Sequence, residues 1–575
     1  MSGAVDLLSI SRAGAERFLQ TVLVIDNELF LGRPDPVTTA TLTSPKSRFG
    51  GRGPVGGEAG VAPAAESASI DAALEGAGVD ASASPLDVKS IMDAFLKRSL
   101  ICGMHKPMAG NDLVAEAIKA ARRSDAVIVD WLLQGSDSTA AEEIVSGILD
   151  GDRAEHGRLR LIVVYTSEAD VADIAAKLKK RLAPVAFEDA ALGTLTSRDA
   201  RIVVLNKEGT KGAKETVSVD GMPARIIEEF ARLSEGLLST FAVSAVAAVR
   251  RSTHHILAVF SSEMDGAYLA HRCALKSPDD ATEFALELLG GELRGVVAMS
   301  EETVEVLSQP SLAEWIARRA DGGGRVHGGP LSVPLEVATG FVAGGETAVE
   351  ASKLHQVRTG AEKLSKDEKK PGKDLISARN VGLLFHDDAT SAEASQGRFA
   401  RLAGFKIEPY GRRVPPSGWV PTLSLGSLLV HLGAGGDPSP RGYLLCTQPR
   451  CDAVRITTTR GFPFQTGFQT PEAPFHVVAA LPGTDDKPTQ VLINIGYKPF
   501  QGVMIEFKQN KLGRVMATKT DKGFVFSDTD GCRYLWLGDL RDLTAQRAAS
   551  VVAARLHEVG LDEYEWVRRH NTKPS

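Results

Sequence analysis

The chain reads as a multidomain protein: an α/β domain built on a parallel sheet, then an all-α region, then a β-rich domain, a small barrel or sandwich, ending in helices. Three observations carry this. The apolar runs TVLVID (21–26), LICGM (100–104), AVIVDWLL (126–133), LRLIVVYT (159–166) and RIVVL (201–205) are mostly separated by segments of helical periodicity. Short β-branched runs alternating with amphipathic helices are what a parallel sheet buried on both faces requires. From Glu235 the pattern changes to helix after helix, and in the last third runs such as GSLLVHL, GYLLCTQ, QVLINIG and GFVFSD are punctuated by Gly, Pro, Asp and Asn, as strands joined by turns are. At 575 residues the chain exceeds what one hydrophobic core supports.

In order, residues 1–232 form the α/β domain. A short amphipathic lead-in precedes the first strand, and an insertion at about 33–84, dominated by Gly, Ala, Pro and Ser, is expected to be a disordered loop because it cannot bury enough apolar surface to offset its ordering entropy. SPLDVKSIMDAFLKRS (84–99) opens with a Ser-Pro pair suited to a helix start. NDLVAEAIKAARRS (111–124), TAAEEIVSGILDGDRAEHGR (139–158) and EADVADIAAKLKKRL (168–182) follow as helices, Val185 to Asp199 is extra before the fifth strand, and MPARIIEEFARL closes the domain. Residues 233–320 form the helical region, 321–378 a flexible linker containing DGGGRVHGGP and EKLSKDEKKPGKD, 379–540 the β-rich output domain and 541–575 the C-terminal helices.

Composition narrows the function classes. Hydrophobic content of 43% and charged content of 24% are ordinary for a soluble protein. No apolar run reaches the roughly 18 to 20 residues that span a bilayer, and the N-terminus lacks the layout of a signal peptide, so a cytoplasmic protein is expected. Five cysteines (Cys102, Cys273, Cys446, Cys451, Cys532) fit a reducing compartment. A net charge of −6 gives no general pull toward nucleic acid. Walker loop, HExxH, dinucleotide fingerprint and DNA-reading helix-turn-helix are all missing from the sequence. His254 and His255 are adjacent, point to different faces of a helix, and read as ordinary packing or surface residues.

In a parallel sheet of this kind, ligands bind beyond the carboxyl ends of the strands, where the strand order reverses. The residues at those ends are Asp26, Asn27 and Glu28 after the first strand, Asp130 after the third, Thr166 and Ser167 after the fourth, and Lys207 after the fifth. This ordered set resembles the receiver domain of two-component response regulators, over roughly residues 20 to 232. The resemblance implies a five-stranded flavodoxin-like fold in which Asp130 accepts a phosphoryl group from a histidine-kinase-type sensor or ATPase. It further implies that Mg²⁺ is held by Asp26 and Asp130 with the main-chain carbonyl of Leu132, that Lys207 pairs with the phosphoryl oxygens, and that the Thr166 hydroxyl bonds to one of them. Such a hard cation takes oxygen ligands, and catalysis there is mostly positioning and charge neutralisation.

The sequence departs from the common receiver pattern in three places. Many receivers carry two adjacent acids after strand one; here the second position is Asn27, with Glu28 next along, which implies weaker metal affinity or substitution by Glu28 as a ligand beside Asp26 and Asp130. RIVVLNKEG has no aromatic residue before Lys207, and Glu208 stands where a proline is usual. The helices after the receiver are expected to carry a homodimer contact or to transmit the switch. Two further readings stay open: a latent enzymatic effector of a stress or phage-defence system, gated by the receiver, and an unphosphorylated receiver-like scaffold. In the C-terminal domain Cys451, beside Arg450 in a Pro-interrupted turn, is the candidate nucleophile, against the plainer reading of a structural thiol.

Overall fold

A computed structural model describes residues 6–30, 86–107, 112–345 and 382–556, apart from 136, 156, 184, 276, 277, 279, 329, 330, 411–417, 434, 435, 472–474 and 484–487. The insertion at 33–84 and the charged stretch EKLSKDEKKPGKD lie outside the described residues. The chain divides into two units, Met1–Arg318 and Arg319–Ser575.

The first unit opens with α1 (Leu7–Phe18), β1 (Thr21–Ile25), the two-residue β2 (Leu29–Phe30) and β3 (Leu86–Asp87), then α2 (Val88–Leu96), β4 (Ile101–His105), α3 (Leu113–Ala121), β5 (Ala126–Val129), α4 (Thr139–Ala154), β6 (Arg160–Thr166) and α5 (Val171–Arg181). There follow β7 (Glu188–Ala191), β8 (Thr194–Thr196), β9 (Ala200–Lys207), β10 (Thr216–Val217) and α6 (Met222–Leu233). Every residue of β5, β6 and β9 is buried, so these runs have no polar face. Alternate side chains feed two cores. Leu23, Ile25, Val127, Val129, Ile162 and Val164 pack with α3, α4 and α5, while Val22, Val24, Ile128, Val163 and Leu205 pack with α1, α2 and α6.

The sheet runs in the order β4-β1-β5-β6-β9-β8-β7, with β10 added beside β9. β4, β1, β5, β6 and β9 are mutually parallel, whereas β7 and β8 pair antiparallel. The sheet therefore has eight strands where five were expected: the five parallel runs are present, the extra segment 185–199 supplies the hairpin β7–β8 that extends one edge, and β10 pairs parallel with the end of β9. From β1 the chain steps to β4 on one side and then to β5 on the other. The crevice between β1 and β5 is thus the switch point of a doubly wound sheet.

Helices α7 (Leu237–Val259), α8 (Asp265–Ala274), α9 (Asp280–Met299), α10 (Glu301–Glu305) and α11 (Gln309–Ala317) belong to this same unit rather than to a separate region. The first half of α7 is rich in small residues, and Val243, Ser244, Ala245, Ala247 and Ala248 are buried. That lets it lie close on α1. A Cβ on Gly14 would come 3.0 Å from the Ser244 hydroxyl, and Ser11 Oγ and Thr240 Oγ1 share a 2.7 Å hydrogen bond. Arg250 then clamps the parallel sheet, donating to both carboxylate oxygens of Asp125 at 3.0 Å, with its guanidinium 4.8 Å from the Phe18 ring.

The second unit contains the hairpin β11 (Arg325–Gly328) and β12 (Leu331–Pro334) and helix α12 (Leu335–Gly344), so the first part of the stretch expected to be linker is folded. A helix, α13 (Ala389–Gly404), leads into a ten-stranded antiparallel sheet that curls between residues 405 and 540, and α14 (Asp542–Leu556) follows. Period-two alternation divides its side chains between two cores: Leu428, Val430 and Leu432 enter one, Leu429 the other, where it meets Phe462, Phe464 and Trp536.

Candidate functional site

Asp26 and Asp130 reach the site by simple alternation. Each last apolar residue of β1 and β5 points into a core, so Asp26 and Asp130, one position on, stand at the rim of the crevice. Backbone bonds set them: Asp26 N donates to the His105 carbonyl at 3.2 Å, and Asp130 N to the Ile25 carbonyl at 2.9 Å. Lys207 closes β9, and its ammonium lies 2.9 Å from Asp26 Oδ2 and 2.8 Å from Asp130 Oδ1. All three side chains are buried, at 2% (Asp26), 7% (Asp130) and 3% (Lys207) residue exposure, so the charges interact with little screening by water.

Two carboxylates share one ammonium. The remaining carboxylate oxygens are held by the main chain: Glu28 N donates to Asp26 Oδ1 at 2.7 Å and Leu132 N to Asp130 Oδ2 at 3.1 Å. Burial, the largest influence, pushes the Asp130 carboxyl above its ordinary value, and the nearby Asp26 charge adds to this while Lys207 and the Leu132 N–H oppose it. Burial also works against a charged Lys207, but Asp130 and Asp26 more than offset it, and its ammonium is held protonated above the usual lysine range. The Lys207 Nζ further lies 5.9 Å from the centre of the Tyr165 ring. Tyr165 donates to the Val217 carbonyl at 2.6 Å, and burial pushes its hydroxyl up to about 12.

Thr166, 1% exposed at the end of β6, accepts a 3.1 Å bond from Glu168 N through its hydroxyl oxygen, which leaves its own O–H available to donate. The Glu168 carbonyl in turn accepts from Asn206 Nδ2 at 2.6 Å. The loop after β6 is therefore gripped at one residue from both neighbouring strands. Asn206 was not singled out from the sequence, and its place immediately before Lys207 at the end of an apolar run was the available signal.

Glu28 contributes its main-chain N–H rather than joining a ligand cluster. Among the described residues no group of three or more His, Cys, Asp or Glu side chains is arranged to hold a metal ion. Two carboxylates, those of Asp26 and Asp130, suit a hard cation. The side-chain oxygen of Asn27, the residue after Asp26, is buried without a hydrogen-bond partner. The buried His105 Nε2 is likewise without a partner at the end of β4. Neither atom was legible in the sequence as an unmet polar group.

In the second unit Cys451 is exposed on a single 3-10 turn, Arg450–Asp452. Arg450 forms an ion pair with Asp542, on a different element, rather than serving the thiol alone. Cys446, by contrast, is fully buried, and its thiol is pushed up to about 12 by that burial, as a packing cysteine should be.

Comparison with known proteins agrees with the geometry. Residues 18–212 match the family model described as the response receiver domain. That segment, roughly a third of the chain, is what the protein shares with the receivers of two-component signalling, and it contains Asp26, Asp130, Thr166 and Lys207. No curated protein and no solved structure gives a significant match to the chain. No helix among the described residues is long and apolar enough to cross a membrane.

Proposed function

We propose that the first unit is the phosphoryl acceptor of a two-component pathway, with Asp130 as the nucleophile and a histidine-kinase-type sensor or ATPase in the cytoplasm as the donor. The observation that carries this reading is the single ammonium of Lys207 within 3 Å of both Asp26 and Asp130 at the switch point of the sheet. A carboxylate oxygen of Asp130 attacks the phosphorus of a phosphohistidine, the P–N bond breaks, and the departing imidazole takes a proton from solvent. The product carries more negative charge on the same side chain.

The residues present then have defined tasks. Lys207, already seated on Asp130 Oδ1, transfers its donors to the incoming phosphoryl oxygens. The Thr166 O–H, whose oxygen is anchored by Glu168 N, donates to another of them. Asp26 and Asp130 would hold Mg²⁺. When bound, the cation neutralises the charge that gathers as the phosphoryl group approaches two carboxylates.

Incubation of the full chain with a small acyl phosphate and Mg²⁺ tests the reading by intact mass. The wild-type chain should gain one acid-stable, base-labile phosphoryl group, and Asp130→Asn should gain none. Equal incorporation by Asp130→Asn would remove Asp130 from the role.

A further inference from the structure

We infer that the edge of the parallel sheet carries a binding site for a free amino acid with an apolar side chain. The place is a cavity of about 400 Å³, walled by the start of α5, the hairpin β7–β8, the last residues of β9, the segment 212–217 and Arg225 of α6. That volume lies within the range of small-molecule sites. The hairpin that closes one side is the extra segment, an addition to the five parallel strands. Gly193 lets it close: a Cβ there would stand 3.1 Å from the Val171 side chain, and φ is +71°, so the turn needs glycine.

The lining calls for a ligand that carries both charges. Asp170 and Lys214 line the same cavity, are opposite in sign and form no ion pair with each other. Among the described residues Lys214 has no partner, and Asp170 uses only Oδ1, which accepts from Asp173 N at 3.0 Å as the cap of α5. The other two lining charges are paired: Arg225 donates to Glu215 Oε1 at 3.2 Å. An acid and a base that border one space without meeting are matched by a molecule with an ammonium and a carboxylate, whereas a singly charged ligand leaves one of them unmatched. Two further polar groups stand open in the wall. The Thr194 hydroxyl and the Asn206 side-chain oxygen have no hydrogen-bond partner among the described residues, although each residue is only 4% exposed. Buried polar groups are normally satisfied, so these two mark where ligand atoms sit: the hydroxyl donates to the carboxylate and the amide oxygen accepts from the ammonium. Val203, Leu205 and Val217, with Leu192 exposed at the lip, supply the apolar surface for the side chain. The wall is shared with the strand-end site. Asn206 precedes Lys207 and donates through Nδ2 to the Glu168 carbonyl, so a bound amino acid fastens the loop after Thr166 to the end of β9.

Titration of the full chain with L-leucine, L-methionine and L-phenylalanine, followed by saturation-transfer NMR, tests this. At least one should bind saturably with a dissociation constant below about 1 mM. Isocaproate, which is leucine without its ammonium, and isoamylamine, which is leucine without its carboxylate, should each bind at least about 10-fold more weakly than leucine. Lys214→Met and Asp170→Asn should each weaken the amino acid by about 10-fold or more. Neither change disturbs the fold, because Lys214 is exposed and asparagine caps a helix about as well as aspartate; unchanged hydrogen exchange in β5 and β6 verifies this. The bound amino acid should also slow exchange at the amides of 168–172 and 204–206. Absence of saturable binding by all three amino acids up to about 10 mM overturns the inference. An analogue that binds as tightly as leucine would make this a site for a simple anion or cation, and overturns it as well. Binding that both substitutions leave unchanged, or protection confined to other segments, places the ligand elsewhere and also overturns it.

Discussion

Lys207→Ala should destabilise the receiver sheet by about 3–5 kcal/mol, the range for removing one partner from a buried ion pair. A strand-end lysine read from sequence alone is expected to cost about 1 kcal/mol, because such positions usually reach water. Here Lys207 is 3% exposed, and among the described residues its ammonium is the only cation paired with the Asp26 and Asp130 carboxylates. Its loss leaves two like charges facing each other in a site of low dielectric. The chain has two units and need not unfold in one step, so hydrogen exchange at the amides of β5 and β9 is the suitable readout. Adding Asp26→Asn and Asp130→Asn to Lys207→Ala should recover most of the loss. A cost under about 1 kcal/mol for Lys207→Ala would mean that the carboxylates find water or another partner, and the bridge would then be incidental.

That difference shows what was legible in the site and what was not. Asp26, Asp130, Thr166 and Lys207 could be found because each terminates a continuous β-branched run, and a run of that kind has a defined end. What each touches depends on the lateral order of the strands, which brings the β9 lysine to the aspartates after β1 and β5. Nothing local in RIVVLNKEG encodes it. The same holds for Asn206, whose grip on the Glu168 carbonyl follows from the Thr166–Asn206 register of β6 and β9.

The fold divides in the same way. The five parallel strands and their helices were legible from periodicity. The β7–β8 hairpin was not, because Glu188–Ala191 is polar and wholly exposed and carries no apolar signal. The β11–β12 hairpin was hidden by the glycines around it, which read as linker although Val326 and Val333 are buried in register with each other. The helices after α6 were expected to form a region of their own. Their attachment to α1 rests on small residues in α7, and small residues mark a close contact without naming the partner.

Asp130→Asn, besides abolishing phosphoryl acceptance, should change the pH dependence of stability in one direction. Burial holds the Asp130 carboxyl above its ordinary value of 3.8, so the folded state resists ionisation that the unfolded chain accepts freely. The stability linked to this group is therefore fully present below that ordinary value and is lost as pH rises through the higher folded one. Lys207 is raised as well, so its contribution is complete below 10.5 and is lost only as pH climbs through its folded value beyond that. Above that folded value the wild-type chain thus carries the whole cost of an ionised Asp130 while Lys207 stays charged. An asparagine keeps an oxygen for Lys207 but places an amide nitrogen against the Leu132 N–H, at a cost of about 1 kcal/mol that does not vary with pH. The variant should accordingly be the less stable protein at and below the ordinary value of 3.8 and should gain on the wild type as pH rises through the folded value of Asp130. Exchange at the β5 amides across that range gives the sign. A variant that instead loses ground with rising pH would show that the ionised carboxylate is stabilised more by Lys207 than it is penalised by burial, and Asp130 would then be a structural member of the bridge as much as the proposed nucleophile.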